Sequence, residues 1–198
     1  LIDHSGAGLL LTVAEHEVPM RAAVAECSSA LAVADIDAFD LLPQAPEVAL
    51  VEPSHEQTEC AILFTSGSTG QPKGCLLSNE YFLEMGRWYR DIGGLCALEP
   101  GVERLITPLP LTHMNAMGTS LMAMVVTGGC IVQLDRFHAK SWWQAVREAR
   151  ATVIHYLGVM PAILLQLSID PNEKIASVKF GFGAGVNPAH HDPFEQRF

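Results

Sequence analysis

Positive charge is scarce in this chain: its 198 residues hold 12 Lys and Arg against 22 Asp and Glu, a formal net charge of −10. No cluster of basic side chains offers the repeated cation contacts that a phosphodiester backbone demands, so a nucleic-acid partner is excluded. Long apolar runs are missing too. The two longest, residues 121–134 and 151–169, are interrupted by Thr127, Gly128 and Gly129 in the first and by His155, Gly158 and Pro161 in the second, and neither reads as a membrane span. Cysteine is sparse and odd in number: Cys27, Cys60, Cys75, Cys96 and Cys130 contain no CxxC pair, which reads as reduced thiols in a cytoplasmic protein. No signal-peptide pattern follows Leu1, and the last residues stop inside a helical pattern with no capping glycine, so both ends are expected to be cut.

What is present describes a globular chain. Hydrophobic residues make up 49% of it, and at roughly 150 residues per domain the length corresponds to about one domain, able to bury on the order of 70% of its unfolded surface. The acidity is local. Residues 1–60 hold one base, Arg21, and eleven acids, leaving eleven of each in residues 61–198.

Hydrophobic patterning divides the chain further. Residues 1–41 read as an acidic β-α-β part: a strand over 9–13, a helix from Pro19 to Cys27 and a strand over 30–34. Residues 42–58, with Pro43, Pro46 and Pro53, read as a surface connection holding one short strand over 48–51. From residue 59 onward strands and helices alternate: strands at 61–65, 75–77, 104–107, 130–134, 152–156 and 178–182, helices at 79–90, 113–126, 141–150, 161–167 and 188–197. Such alternation predicts an α/β fold with a mostly parallel sheet and flanking helices. On the helix at 79–90, Tyr81, Phe82, Met85, Trp88 and Tyr89 fall on one apolar stripe behind Ser78 as N-cap, and are expected to be core. Trp142 and Trp143 begin another apolar face and are assigned to packing.

Chemistry concentrates in Thr65-Ser66-Gly67-Ser68-Thr69-Gly70-Gln71-Pro72-Lys73-Gly74, which follows an apolar strand directly. Glycines let successive backbone N–H groups converge on an anion, hydroxyls add donors, and Lys73 brings a mobile point charge suited to a polyphosphate. The loop is not a Walker A motif, because Pro72 and Cys75 stand five positions after Gly67 and Gly70, where that motif needs glycine followed by lysine. A second glycine-rich strand end, Gly181-Phe182-Gly183-Ala184-Gly185-Val186, fails the dinucleotide fingerprint because Val186 stands where its third glycine belongs. His190 and His191 would project about 100° apart on a helix without a third ligand, so no zinc site is assigned and both are expected at the surface.

The ten residues Thr65 to Gly74 resemble the signature of the adenylate-forming superfamily, which includes acyl-CoA synthetases, peptide-synthetase adenylation domains and firefly-type luciferases. Pro108-Leu109-Pro110-Leu111-Thr112-His113 is similar to that superfamily's proline-rich segment, and Gly183-Ala184-Gly185 to its adenine-facing segment. Residues 137–153, with Val159-Met160-Pro161, resemble the acyl-CoA synthetase branch, and more faintly its carnitine or crotonobetaine type. The resemblance implies a part of the large N-terminal domain of an adenylate-forming enzyme. It also implies ATP-dependent activation of a small-molecule carboxylic acid to acyl-AMP, followed by thioester formation with coenzyme A, with Mg²⁺ on the phosphates. On that basis Thr65, Ser66, Gly67, Ser68, Thr69, Gly70 and Lys73 would hold the phosphates. Gly183, Ala184 and Gly185 would accept adenine, and His113 would wall the acyl pocket. Superfamily members are longer, and their adenine-stacking and magnesium segment, ribose-binding Asp, hinge Arg and C-terminal lysine-bearing domain would all fall beyond Phe198. No catalytic residue or metal ligand is therefore assigned within the chain. The alternatives are a nucleotide- or partner-binding module without ligase turnover, and a peptide-synthetase adenylation domain.

Overall fold

The computed structural model describes residues 1–42, 53–66, 70, 72–171 and 173–198. The strand expected at 48–51 lies outside them, as do Gly67, Ser68, Thr69 and Gln71 of the glycine- and hydroxyl-rich segment. Two compact units are formed, Leu1–Asn79 and Glu80–Phe198. No helix among the described residues is long and apolar enough to cross a membrane.

In the first unit, a short helix α1 (Ile2–Ser5) precedes strand β1 (Leu9–Thr12), helix α2 (Ala14–Ala25) and strand β2 (Ala32–Asp35). β1 and β2 pair in parallel, giving the β-α-β unit expected from the sequence. α2 begins five residues before Pro19, which therefore lies inside the helix. Glu15 and Glu17 in its first turn complement the positive end of the helix dipole and favour this earlier start. The unit continues with β3 (Glu59–Thr65) and β4 (Lys73–Ser78), paired antiparallel. A parallel pair needs a crossover of about a dozen residues or more, and residues 66–72 are too few, so this pair departs from the parallel pattern of the longer alternation.

Helix α3 (Asn79–Asp91) follows β4 without a break. The second unit then builds β5 (Arg104–Thr107), a π-helix (Asn115–Leu121) running into α4 (Met122–Thr127), β6 (Cys130–Gln133), α5 (Trp142–Glu148), β7 (Val153–Leu157), α6 (Val159–Gln166), β8 (Phe180–Ala184) and α7 (His191–Arg197). Its four strands are all parallel, in the order β6-β5-β7-β8. β6 flanks β5 on one side and β7 on the other, so the winding direction reverses between β5 and β7. In open α/β sheets ligands bind at the carboxyl edge beside such a reversal.

Both faces of this sheet are covered. Ile106 and Ile154 point toward Trp142, Trp143, Val146, Met160 and Leu164, with Tyr156, Phe194 and Phe198 at the margin. Leu105 and Val153 point the other way, toward Tyr89, Ala123 and Met124. Leu105 and Ile106 are each fully buried, and burial of such a side chain contributes about 1.5–3 kcal/mol. Both tryptophans are packed, Trp142 being 1% and Trp143 9% exposed. The aromatic stripe of α3 is narrower than expected. Phe82 and Tyr89 are buried, whereas Tyr81 and Trp88 are 41% and 49% exposed. The helix packs along the line Phe82, Gly86, Tyr89, and a Cβ at Gly86 would fall 2.6 Å from the Met122 carbonyl oxygen. That close approach turns the neighbouring positions outward.

A buried carboxylate ties the amino edge of the sheet together. Glu103, 1% exposed, accepts from Lys179 Nζ at 2.7 Å, from the Glu99 N–H at 2.9 Å and from the Thr152 hydroxyl. Glu103, Thr152 and Lys179 immediately precede β5, β7 and β8. Burial pushes the Glu103 carboxyl up, but these three donors outweigh it and hold it below its ordinary value.

Candidate functional site

One candidate site, within the first unit, is the mouth of the β3–β4 hairpin. The backbone ladder sets Thr65 opposite Lys73, so the loop between them is pinned at both ends by paired strands. Thr65, Ser66, Gly70 and Lys73 are exposed. Gly70 has φ of 78°, in the left-handed region, and among the described residues nothing lies within 4 Å of a Cβ placed there. Lys73 makes no ion pair among the described residues. An exposed cation beside small, hydroxyl-rich backbone is a competent seat for phosphate oxygens.

A separate candidate, within the second unit, is the carboxyl edge of the parallel sheet. β5 leads through Pro108 and Pro110 to His113, whose N–H donates to the Pro110 carbonyl and whose own carbonyl accepts from the N–H groups of Ala116 and Met117. His113 thus heads the π-helix with its side chain exposed. At the end of β8, Ala184 and Gly185 are exposed, and Gly185 has φ of 67°. Gly183 answers a different demand: a Cβ there would fall 2.6 Å from Cζ of Tyr156, its β7 neighbour. The Gly158 N–H, just past β7, donates to the Ala184 carbonyl at 2.9 Å and locks the two strand ends together. Parallel topology therefore brings the segment bearing His113 and residues 183–185 to one edge of one sheet, beside the reversal between β5 and β7.

The family model for AMP-binding enzymes matches residues 1–198. The chain belongs to the AMP-binding enzyme family. It is 30% identical to the sulfoacetate–CoA ligase of Cupriavidus necator, over 100% of this chain and 39% of that protein. Identity to the medium/long-chain-fatty-acid–CoA ligase FadD6 of Mycobacterium tuberculosis is 28%, over 92% of this chain and 31% of the relative. The fold matches that of O-succinylbenzoate coenzyme A synthetase from Bacillus subtilis, solved with ATP and magnesium ion. There the TM-score is 0.78 at 21% identity, covering 100% of this chain and 38% of that one. The chain spans less than two-fifths of the length of these proteins.

Several groups in this member of the AMP-binding enzyme family carry no distinctive mark in the sequence. Tyr156 shapes the 183–185 segment, yet it reads in sequence as one apolar residue of a strand. His155 is fully buried, hydrogen-bonded through Nδ1 to Ser120 Oγ, with its ring 5.5 Å from that of Phe182. Burial lowers its pKa to about 4, so the imidazole is neutral near pH 7. The available signal was its position two residues after Val153 on the same face of β7. His190 departs from the surface assignment. It is half-buried, its Nδ1 has no partner among the described residues, and it lines a small pocket with Tyr156, Pro161, Val186, His191 and Phe194. Packing of α7 beside the end of β7 draws it inward; His191 is exposed. No group of three or more His, Cys, Asp or Glu able to hold a metal occurs among the described residues.

Proposed function

We propose that the protein is an AMP-forming acid–thiol ligase. In the first step a carboxylate oxygen of the substrate attacks the α-phosphorus of ATP, the bond to the bridging oxygen breaks, and pyrophosphate leaves. In the second, the sulfur of coenzyme A attacks the acyl carbonyl, AMP departs with the bonding electrons, and the thiol proton is released. The observation that carries this reading is the glycine- and hydroxyl-rich loop pinned between paired Thr65 and Lys73, in a chain matched throughout by the AMP-binding family.

Little covalent work is required of the protein in such a reaction, and rate comes from positioning and charge stabilisation. Backbone N–H groups and hydroxyls of Thr65, Ser66, Gly67, Ser68, Thr69 and Gly70 hold the β- and γ-phosphates. Lys73 balances the charge that builds on departing pyrophosphate. Gly183, Ala184 and Gly185 leave the strand end low enough for the adenine ring, and His113, exposed at the head of the π-helix, borders the acyl group. Magnesium supplies charge neutralisation of the triphosphate when bound. The described residues offer no group of three or more His, Cys, Asp or Glu to hold it. Five unpaired cysteines support a cytoplasmic location.

The test is acid-dependent pyrophosphate release by the full-length protein with ATP, coenzyme A and a panel of carboxylic acids spanning sulfonated short acids and medium- to long-chain fatty acids. Release with one class of acid, followed by a thioester product, is the expected result. Adenylate formation without thioester would turn the reading toward transfer to another acceptor, and no release with any acid would end it.

A further inference from the structure

A polar cluster lies beneath the π-helix, on the sheet face opposite Trp142. His155 is fully buried, Ser120 is fully buried, and their hydrogen bond joins the π-helix to β7. Around them stand the rings of Tyr89 and Phe182, with centroids 6.5 and 5.5 Å from the imidazole and 4.9 Å from each other. His155 Nε2 and the Tyr89 hydroxyl are both buried without a hydrogen-bond partner among the described residues. A cluster selected for stability alone would not retain them, because each unpaired buried polar atom costs folding free energy that an apolar side chain of similar shape would spare.

Its location supplies the purpose. Ser120 rides on the helix that follows β5, His155 lies on β7, and the winding of the sheet reverses between those two strands. A π-helix is a rare conformation, frequently found at functional sites. Here the Thr119 hydroxyl bonds back to the Asn115 carbonyl, and Gly118 leaves room for the Met114 side chain. Ser120 anchors this widened turn to the sheet.

We propose that Ser120 and His155 are a positioning pair that holds the π-helical turn against β7 and thereby sets the room available to the non-reacting part of the acid. This inference rests on the acid-activating reading above. The pair does not touch the reacting atoms. It acts through residues of the turn that begins behind His113.

The experiment uses the full-length protein and compares kcat/KM for a compact and a bulky acid, with KM for ATP measured alongside. Pyrophosphate release by the unmodified protein is the control for the underlying reading, and its absence defeats both. With that control satisfied, Ser120→Ala and His155→Leu should each shift the ratio of the two kcat/KM values about tenfold while KM for ATP changes less than about twofold. The double variant should shift the ratio no further than either single change. His155→Gln, which keeps a hydrogen-bonding group, should return it toward the unmodified value. An unchanged ratio in Ser120→Ala overturns the proposal, as do additive shifts in the double variant or a parallel loss of ATP and acid affinity. Should His155→Leu fail to fold, Ser120→Ala and His155→Gln decide by the same ratio.

Discussion

Gly183 sits beneath the ring of Tyr156, and a Cβ at that position would fall 2.6 Å from the ring's Cζ. The two residues are partners across β7 and β8, so an added methyl group would meet the ring. Gly183→Ala should destabilise the protein by about 1–3 kcal/mol through overpacking and raise KM for ATP. Combining it with Tyr156→Ala should recover part of the ATP affinity lost to Gly183→Ala, because the added methyl would then have space. Thermal unfolding and ATP titration of the three variants check both effects.

Lys73 is exposed at the start of β4, and the proposed phosphate role makes it a test of chemistry rather than of folding. Lys73→Ala should lower kcat for pyrophosphate release by about 10²–10³-fold, the range found when a preorganised charge-stabilising group is removed. Its melting temperature should stay unchanged. Equal kinetics in the variant would take Lys73 out of the phosphate site.

His113 heads the π-helix with its side chain exposed. Substitution to Ala and to Phe should leave the melting temperature within a degree or two of the unmodified protein and move preference among acids of different bulk in opposite directions. A substrate profile that ignores the size of residue 113 would separate it from the acyl pocket.

His155 links stability to pH. Burial lowers its pKa from 6.5 to about 4, so between those values the unfolded chain binds a proton that the folded chain refuses. Stability attributable to the neutral imidazole is complete above pH 6.5 and is lost as pH falls toward 4. The difference amounts to about 3 kcal/mol. Denaturation midpoints measured between pH 7 and 4 should fall more steeply for the unmodified protein than for His155→Gln.

Glu103 and Lys179 are coupled across 76 residues by a 2.7 Å ion pair. The Glu103 carboxyl is held below its ordinary value of 4.5, so its contribution is present above that pH and fades as pH drops through the lower folded value. Lys179→Met removes one of its three donors and should cost about 1–3 kcal/mol, with no effect on KM for ATP, because this edge of the sheet lies opposite the candidate site. A matched loss of ATP affinity would contradict that separation of roles.

Local pattern carried much of this protein. The β-α-β unit at the start, the alternation of strands and helices after residue 59 and the loop Thr65 to Gly74 were all legible, because each is written in neighbouring residues whose spacing or size has one ready physical use. Boundaries were less legible where two local rules compete, as at Pro19, which opens a helix by one rule and lies inside it once Glu15 and Glu17 are counted. Burial on α3 was only half legible: five large residues share a stripe, and the close approach of Gly86 to Met122 decides that Phe82 and Tyr89 go inward while Tyr81 and Trp88 do not.

The sequence by itself determined the composition of the glycine- and hydroxyl-rich segment Thr65 to Gly74, the acidic first sixty residues and the class of fold, since these depend on residue identity and on periods of a few residues. Tertiary structure alone decided the strand order β6-β5-β7-β8, the antiparallel pairing of Thr65 with Lys73, the ring of Tyr156 over Gly183 and the bond from Ser120 to His155. Each of these joins residues separated by eight to dozens of positions. Their meeting follows from how the whole sheet packs, and no local period encodes it.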